Sequence, residues 1–244
     1  MSKPAFVLVH GAWHGGWCWA EVAGVLQAAG HRVFAPSLTG LADRAHLFGA
    51  QVTLATHVED VVRLIEFERL DGCVLVGHSY GGNVITGVAD RLRDRIRHYV
   101  YLDAVVPDDA ARHWRWADFN TAADRQQRLA AIAGPGAGIA FLPPPPEVFG
   151  LTDPAHIEAV RGRLTPMPAG TYTTAIELTQ GGSSGLPRTY IGVTNPPFAS
   201  MAPMYARLPA DPSWRYRSIA AGHDAMVSAP QALATLLLES LETR

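Results

Sequence analysis

The segment that most constrains this 244-residue chain is Gly77-His78-Ser79-Tyr80-Gly81. An apolar run at 73–76, typical of a β-strand, leads into it, and a helical pattern follows from about 82 to 91. The two glycines lack a Cβ, so a strand and a helix can approach closely around a strained serine. This order of strand, sharp turn and helix is typical of a nucleophile elbow, which exposes the serine hydroxyl. We therefore predict that Ser79 is a nucleophile; the alternative is a glycine-rich turn with an incidental serine.

Apolar runs of strand length alternate with helix-length patterns at both ends of the chain. Strands are predicted at 5–9, 32–35, 73–76, 98–102, 188–193 and 214–219, and helices at 19–29, 53–70, 82–91, 197–208 and 230–241. This alternation predicts an α/β fold, with about six mostly parallel strands and helices on both faces of the sheet. The alternation stops in the middle of the chain, where tryptophans, glycines and a proline run predict a small cap of short helices. We predict a core of residues 1–107 and 187–244, with a cap insertion at 108–186.

Composition excludes several functional classes. The net charge is -2, which gives no electrostatic reason to expect nucleic acid or an anionic membrane as a partner. No apolar run approaches the ~20 residues of a transmembrane helix. Cys18 and Cys73 lie in apolar segments without metal-ligand spacing, which predicts buried thiols and not a disulfide. We expect a cytoplasmic protein with a small-molecule substrate, no nucleic-acid or membrane partner, no cofactor and no metal; a homodimer is allowed.

A serine nucleophile needs a base within hydrogen-bond reach, and that base needs an orienting group. His223 is the predicted base, because it follows the last predicted strand and can lie over Ser79 at the same sheet edge. No carboxylate directly follows the penultimate strand; Asp211 lies in a later turn, and Asp224 adjoins His223 in a loop that points it away. Asp103 ends the strand after the nucleophile strand and is the predicted acid, with a loop cap as its alternative role.

The glycine-rich loop 10–16 follows the first strand and faces the nucleophile in this architecture. The amides of Ala12 and Tyr80 are the predicted oxyanion donors. Trp13, His14 and Tyr80 are the predicted substrate contacts; core packing is the alternative for Trp13, and a structural loop role is the alternative for His14.

These motifs resemble the α/β-hydrolase superfamily. Within it they are most similar to the branch of plant methylesterases (salicylate methyl esterase type) and hydroxynitrile lyases, with their bacterial esterase relatives. The segments that carry the resemblance are 6–19, 75–82, 106–108 and 222–223. The resemblance implies an α/β-hydrolase fold with Ser79 as nucleophile, His223 as base and the Ala12 and Tyr80 amides as the oxyanion hole.

The chain departs from this branch in two places. The branch usually has Thr-x-Asp after the penultimate strand, with the Asp as triad acid, whereas this chain has Thr194-Asn195-Pro196. Some α/β-hydrolases place the acid after the earlier strand, which favours Asp103. Hydroxynitrile lyases carry a threonine in the oxyanion loop and a lysine after the catalytic histidine, where this chain has Gly11 and Asp224. The missing ammonium disfavours lyase chemistry, because nothing stabilises cyanide.

The predicted function is a serine esterase that cleaves a carboxylic ester of a moderately hydrophobic or aromatic small molecule through an acyl-enzyme. We do not expect a charged metabolite as the substrate, because the cap is rich in apolar residues. One alternative is a lactonase, C–C hydrolase, lyase or cyclase that acts on an aromatic or polyketide-like substrate with the same Ser79 and His223. A second is a non-catalytic ligand receptor on the same fold.

Overall fold

The computed structural model describes residues 3–241, so the ends of the predicted core at 1–2 and 242–244 lie outside the described residues. Its central sheet has six strands: β1 (Phe6–Val9), β2 (Val33–Phe34), β3 (Cys73–His78), β4 (Ile96–Leu102), β5 (Arg188–Val193) and β6 (Arg215–Ile219). All five pairings are parallel, and the order across the sheet is β6-β5-β4-β3-β1-β2. The predicted α/β fold with about six mostly parallel strands is confirmed.

The α-helices alternate with these strands or fill the segment between β4 and β5. They are α1 (Ala20–Ala28), α2 (Leu54–Phe67), α3 (Gly81–Arg91), α4 (Ala122–Ala133), α5 (Pro154–Arg161), α6 (Gly170–Thr173), α7 (Ala202–Arg207), α8 (Ala225–Ser228) and α9 (Pro230–Glu239). The start of α2 is fixed by a capping box, in which the Thr53 and Thr56 side chains each accept a hydrogen bond from the other's backbone N–H.

Helices cover both faces of the sheet, as predicted. Successive side chains of a strand point to opposite faces. Phe6 and Leu8 of β1 therefore pack in the core that contains α1 and α9, whereas Val7 and Val9 pack in the core that contains α2 and α3. Burial on both faces explains why β1 is a continuous apolar run and not an alternating one.

Between β4 and β5 the chain leaves the sheet. This segment contains α4, α5 and α6, and two antiparallel ladders of two residues each, His113–Trp114 with Ile176–Glu177 and Ala140–Phe141 with Met167–Pro168. The ladders were not predicted, because strands of two residues leave no periodicity in the sequence. The bidentate ion pair of Asp109 with buried Arg188, at 2.8 and 2.7 Å, joins the two ends of the segment. The domain boundaries at 107/108 and 186/187 stay a prediction.

Cys18 and Cys73 are buried free thiols, as expected from their apolar segments. Burial raises the pKa of the Cys73 thiol to about 12, so this residue stays protonated at neutral pH. No helix within residues 3–241 combines the length and the apolar character needed to span a membrane.

Candidate active site

Ser79 occupies a sharp turn between β3 and α3. Its φ is +53°, in the left-handed region that a residue with a side chain adopts only under strain. The flanking glycines permit this turn: a Cβ on Gly77 would lie 2.7 Å from the carbonyl oxygen of Gly81, and a Cβ on Gly81 would lie 2.9 Å from that of Val9. The turn therefore holds the Ser79 hydroxyl at the carboxyl edge of the sheet, as the motif predicts.

The structure brings the three predicted catalytic side chains into one hydrogen-bonded chain. The Ser79 Oγ lies 2.9 Å from His223 Nε2, and His223 Nδ1 lies 2.6 Å from Asp103 Oδ2. The His223 side chain is 2% exposed and that of Asp103 is fully buried. Because a carboxylate only accepts, His223 Nδ1 carries the proton and Nε2 is free to accept from the serine hydroxyl. This is the tautomer that a base needs.

Asp103 directly follows β4 and has a φ of +42°. Its N–H donates to the Ile191 carbonyl of β5 at 2.8 Å, which ties the strained turn to the neighbouring strand. The other carboxylates that the sequence offered are engaged elsewhere: Asp211 accepts from the Ser213 N–H in a turn before β6, and Asp224 pairs with a different histidine.

The segment after β5 supports the acid and the base with aromatic residues. The Tyr205 hydroxyl on α7 donates to Asp103 Oδ1 at 2.5 Å and accepts from the Phe198 N–H at 3.1 Å. The Phe198 ring stacks on the His223 imidazole, with centroids 3.8 Å apart and planes inclined by 22°. Neither residue is predicted from the sequence, because no local pattern marks a tyrosine that reaches across the sheet.

His78, which immediately precedes the nucleophile, contacts the backbone and the ring of the base His223. Its Nε2–H donates to the His223 carbonyl at 3.0 Å, and the two rings lie 4.5 Å apart. Burial, together with repulsion from His223, holds the pKa of His78 well below its usual value, so its ring is neutral. This contact was also not predicted, although the position of His78 in the elbow places it near the site.

The predicted oxyanion loop lies against the nucleophile. A Cβ on Gly11 would lie 3.0 Å from the Ser79 Cβ, so only glycine allows this approach without displacement. Within residues 3–241, the N–H groups of Ala12 and Tyr80 donate to no protein acceptor. Two free amides, one beside Ser79 in the chain and one in the loop packed on it, are the arrangement that a developing oxyanion requires.

His14 connects the oxyanion loop to the His223 loop. Its Nδ1–H donates to the Ala12 carbonyl at 2.8 Å, and its Nε2 lies 3.0 Å from Asp224 Oδ2. Burial alone would lower the pKa of His14, but the attraction and hydrogen bond of Asp224 outweigh it and raise the pKa. The pair is fully enclosed, with exposures of 1% and 0%. Because both ring nitrogens are occupied, the contact of His14 with the cavity is limited to its ring edge and face.

A small cavity of about 40 Å³ lies over Ser79. Its apolar lining includes Trp13, Trp116, Phe119, Phe149, Phe198 and Met201. A larger apolar groove of about 580 Å³, formed with Phe141, Leu142, Pro143 and Val148, shares Trp13, Arg128, Phe149, Phe198 and Ser200 with the cavity. The groove therefore continues the cavity toward the surface.

The side chains predicted to contact substrate differ in where they lie. Trp13 lines both cavity and groove, with its Nε1–H donating to the Phe141 carbonyl at 2.8 Å, and His14 lines the cavity. The Tyr80 ring does not line the cavity, which corrects the prediction. It is fully buried behind Trp116, at a centroid distance of 4.9 Å, and its hydroxyl bonds His57 Nδ1 at 3.0 Å. The helix start points the Tyr80 amide toward Ser79 and directs its side chain into the core under the cap.

Metal ligands do not cluster in this site. Within the described part of the chain, no group of three or more His, Cys, Asp or Glu side chains is arranged to hold an ion.

Comparison with known proteins identifies the fold and its family. The profile of the "Alpha/beta hydrolase family" matches residues 6–236. The carbendazim hydrolyzing esterase of Nocardioides sp. (strain SG-4G) is 42% identical over 240 residues, which cover 95% of this chain and 97% of that protein. Methylesterase 8 of Arabidopsis thaliana is 36% identical over 109 residues, covering 44% of this chain and 40% of its own length.

Among solved structures, an extracellular α/β-hydrolase from a Paenibacillus species superposes with a TM-score of 0.82 at 24% identity, covering 98% of this chain and 99% of that one. At this identity the likeness concerns the fold alone. The family profile and the relative that is 42% identical also support family membership, because both span the elbow, the His223 loop and the strands that carry them. This chain is therefore a member of the α/β-hydrolase family, and it is a hydrolase of the esterase type.

Proposed function

We propose that this protein is a serine esterase that cleaves a carboxylic ester of a moderately hydrophobic or aromatic small molecule through an acyl-enzyme. The observation that carries the proposal is the hydrogen-bonded chain from Ser79 through His223 to Asp103, with bonds of 2.9 and 2.6 Å. These two hydrogen bonds give the serine a base in the correct tautomer, and the buried carboxylate stabilises the imidazolium that forms.

In the proposed mechanism, Ser79 Oγ attacks the ester carbonyl while His223 Nε2 takes the hydroxyl proton. The oxyanion accepts from the amides of Ala12 and Tyr80, which have no other acceptor within residues 3–241. His223 then returns the proton to the departing alcohol. Water enters, loses a proton to the same Nε2 and attacks the acyl carbonyl, and the free acid leaves as Ser79 regains its proton.

The side chains that line the cavity and the groove indicate the substrate class. Aromatic and thioether side chains surround the cavity and continue into the groove, which favours an apolar or aromatic body of the substrate. A relative at 42% identity is named for the hydrolysis of carbendazim, so we include this compound among the candidate substrates.

Hydroxynitrile lyase chemistry is disfavoured at this site. The residue after His223 is Asp224, whose carboxylate is buried and held by His14. An acid at this position supplies no cation to stabilise a departing cyanide.

The test is hydrolysis of a panel of short-chain aryl esters and carbendazim by the wild type, Ser79→Ala and Ser200→Ala. Ser200 is a matched control, because it is a second serine that lines the cavity but has no hydrogen bond to His223. We expect Ser79→Ala to lose at least about 10⁴ in kcat and Ser200→Ala to stay within a few-fold of the wild type. Mass spectrometry should detect an acyl adduct on Ser79. A wild-type protein that binds these esters without turnover would overturn the proposal in favour of a ligand receptor.

A further inference from the structure

Arg128 is a half-buried cation in the wall of the active-site cavity. It lies on α4 and lines both the cavity over Ser79 and the apolar groove that continues it. Its guanidinium carbon is 5.7 Å from the centre of the Trp116 ring and 6.0 Å from that of Phe141. No carboxylate oxygen within residues 3–241 lies in ion-pair range, 4.0 Å, of its nitrogens, and no protein group accepts a hydrogen bond from them.

Asp124, on the same helix, does not form an ion pair with Arg128. Asp124 precedes it by four residues, a spacing at which acid–arginine pairs form on helices. Asp124 is instead engaged in the cap of α4, where its Oδ2 accepts from the Thr121 hydroxyl at 2.7 Å and its N–H donates to the Thr121 Oγ at 3.2 Å. The neighbouring Arg125 donates instead to the backbone carbonyls of Ala117 and Asn120.

Burying a guanidinium without a carboxylate partner among residues 3–241 is unfavourable in free energy. Burial lowers the pKa of Arg128, since the charged form loses part of its hydration. Contact with two aromatic rings offsets some of this loss. The guanidinium carbon lies over the two rings, and the planar fork of N–H donors has no acceptor among residues 3–241. This fork matches the two oxygens of a carboxylate in a bidentate pair.

We infer that Arg128 binds a carboxylate of the substrate, at the end away from the scissile ester, so that the preferred substrate is an aromatic or apolar monoester that also carries a free acid group. The inference rests on the proposed esterase function and names the substrate class of that site. It replaces the expectation from composition that a charged compound would not be accepted. The aromatic wall contacts the body of the substrate, and Arg128 selects the charge at its far end.

Two pairs of methyl esters test this inference. Monomethyl terephthalate is compared with methyl 4-isopropylbenzoate, and monomethyl adipate with methyl 6-methylheptanoate. In each pair an isopropyl group replaces the carboxylate, so shape is kept and charge is lost. The rigid and flexible pairs together cover different distances from Ser79 to Arg128. The variants are Arg128→Met, Arg128→Lys and, as the control, Arg163→Met, because Arg163 packs over the Trp17 ring at 4.6 Å outside the cavity.

We expect Arg128→Met to lose about 10- to 100-fold in kcat/KM for at least one acid-bearing ester, mostly through KM, because a charge-assisted hydrogen bond is lost. The neutral partners should change less than about twofold, Arg128→Lys should lie between Arg128→Met and the wild type, and Arg163→Met should match the wild type. A merely structural role of Arg128 predicts equal losses for both members of a pair, and that result would overturn the inference.

Binding measured without turnover separates this inference from the proposed function. Calorimetric titration of the Ser79→Ala protein, with and without Arg128→Met, reports affinity for the same esters. Charge-selective binding that depends on Arg128 supports the inference even if the wild type hydrolyses none of them, an outcome that overturns only the esterase proposal. Hydrolysis of the neutral esters, with no charge-selective effect of Arg128→Met on kinetics or affinity, overturns only the inference.

Discussion

Replacement of Asp103 by asparagine should disable His223 without disturbing the fold. In the wild type, Asp103 Oδ1 accepts from the Tyr205 hydroxyl and Oδ2 accepts from His223 Nδ1–H. In the variant, Tyr205 still needs an acceptor, so the amide oxygen should face Tyr205 and the amide NH2 should face His223. The imidazole Nδ1 then becomes an acceptor, and its proton moves to Nε2, where it blocks acceptance of the Ser79 proton.

The expected loss follows from this change of tautomer. The wrong tautomer costs about 10⁴ in kcat in Ser-His-Asp enzymes, which corresponds to about 5.5 kcal/mol of transition-state stabilisation. Steady-state hydrolysis of the best aryl ester by Asp103→Asn measures it, with Asp211→Asn as the control, since Asp211 only caps a turn through Ser213. Unfolding by urea should confirm that the variant is folded. If Asp103→Asn keeps more than about a tenth of the wild-type kcat, a Ser-His dyad replaces our assignment.

A second substitution tests the reason for the loss. Without the Tyr205 hydroxyl, the asparagine is free to turn its oxygen toward His223 and restore the original tautomer. We therefore expect Asp103→Asn combined with Tyr205→Phe to be about tenfold more active than Asp103→Asn alone, the value of about one hydrogen bond. A double variant that is less active than the single one would show that Tyr205 does not set the orientation of the amide.

Two further predictions concern stability. Asp224→Asn removes the carboxylate that pairs with buried His14. The free energy of unfolding at pH 7 should fall by about 1–3 kcal/mol, the value of a hydrogen bond to a charged group, because the histidine can give up its proton and accept from the amide instead; chemical denaturation measures this change, and an unchanged free energy of unfolding would contradict the pairing. Burial, the main cause, lowers the pKa of His10 to about 3 and that of His57 to about 4. Both rings stay neutral in the folded protein while the unfolded chain takes up protons below about pH 6.5, so stability falls as the pH falls. Between pH 6.5 and 4.5 the two histidines should together lower the free energy of unfolding by about 4.5 kcal/mol; equal urea midpoints at both pH values would refute this.

The local parts of this site could be predicted from the sequence. The elbow around Ser79 is encoded in consecutive residues, because the glycines, the serine and the flanking strand and helix all act within about one turn of chain. The oxyanion loop is equally local, since its glycines directly follow β1. The alternation of apolar runs predicted the parallel sheet, because crossover connections leave few other topologies.

The identity of the acid could be narrowed but not decided in the same way. Asp103, Asp211 and Asp224 are all candidates by position in the sequence, and position alone ranks them without selecting one. The distance of 2.6 Å between Asp103 and His223 depends on how β4 and the last loop meet at the sheet edge. The Tyr80 side chain shows the same limit: its place next to Ser79 predicted a substrate contact, but packing directs the ring to His57.

The amino-acid sequence encodes the available chemistry: a serine on an elbow, a histidine after the last strand and an oxyanion loop on a parallel sheet. The packed fold brings in the distant groups that complete it: Tyr205 on the acid, Phe198 and His78 on the base, and His14 with Asp224 between the two loops. It also places Arg128 in the cavity wall, with no carboxylate among residues 3–241 in ion-pair range. A turn is set by its own residues, whereas a pair separated by more than a hundred residues forms only when the sheet and cap have packed.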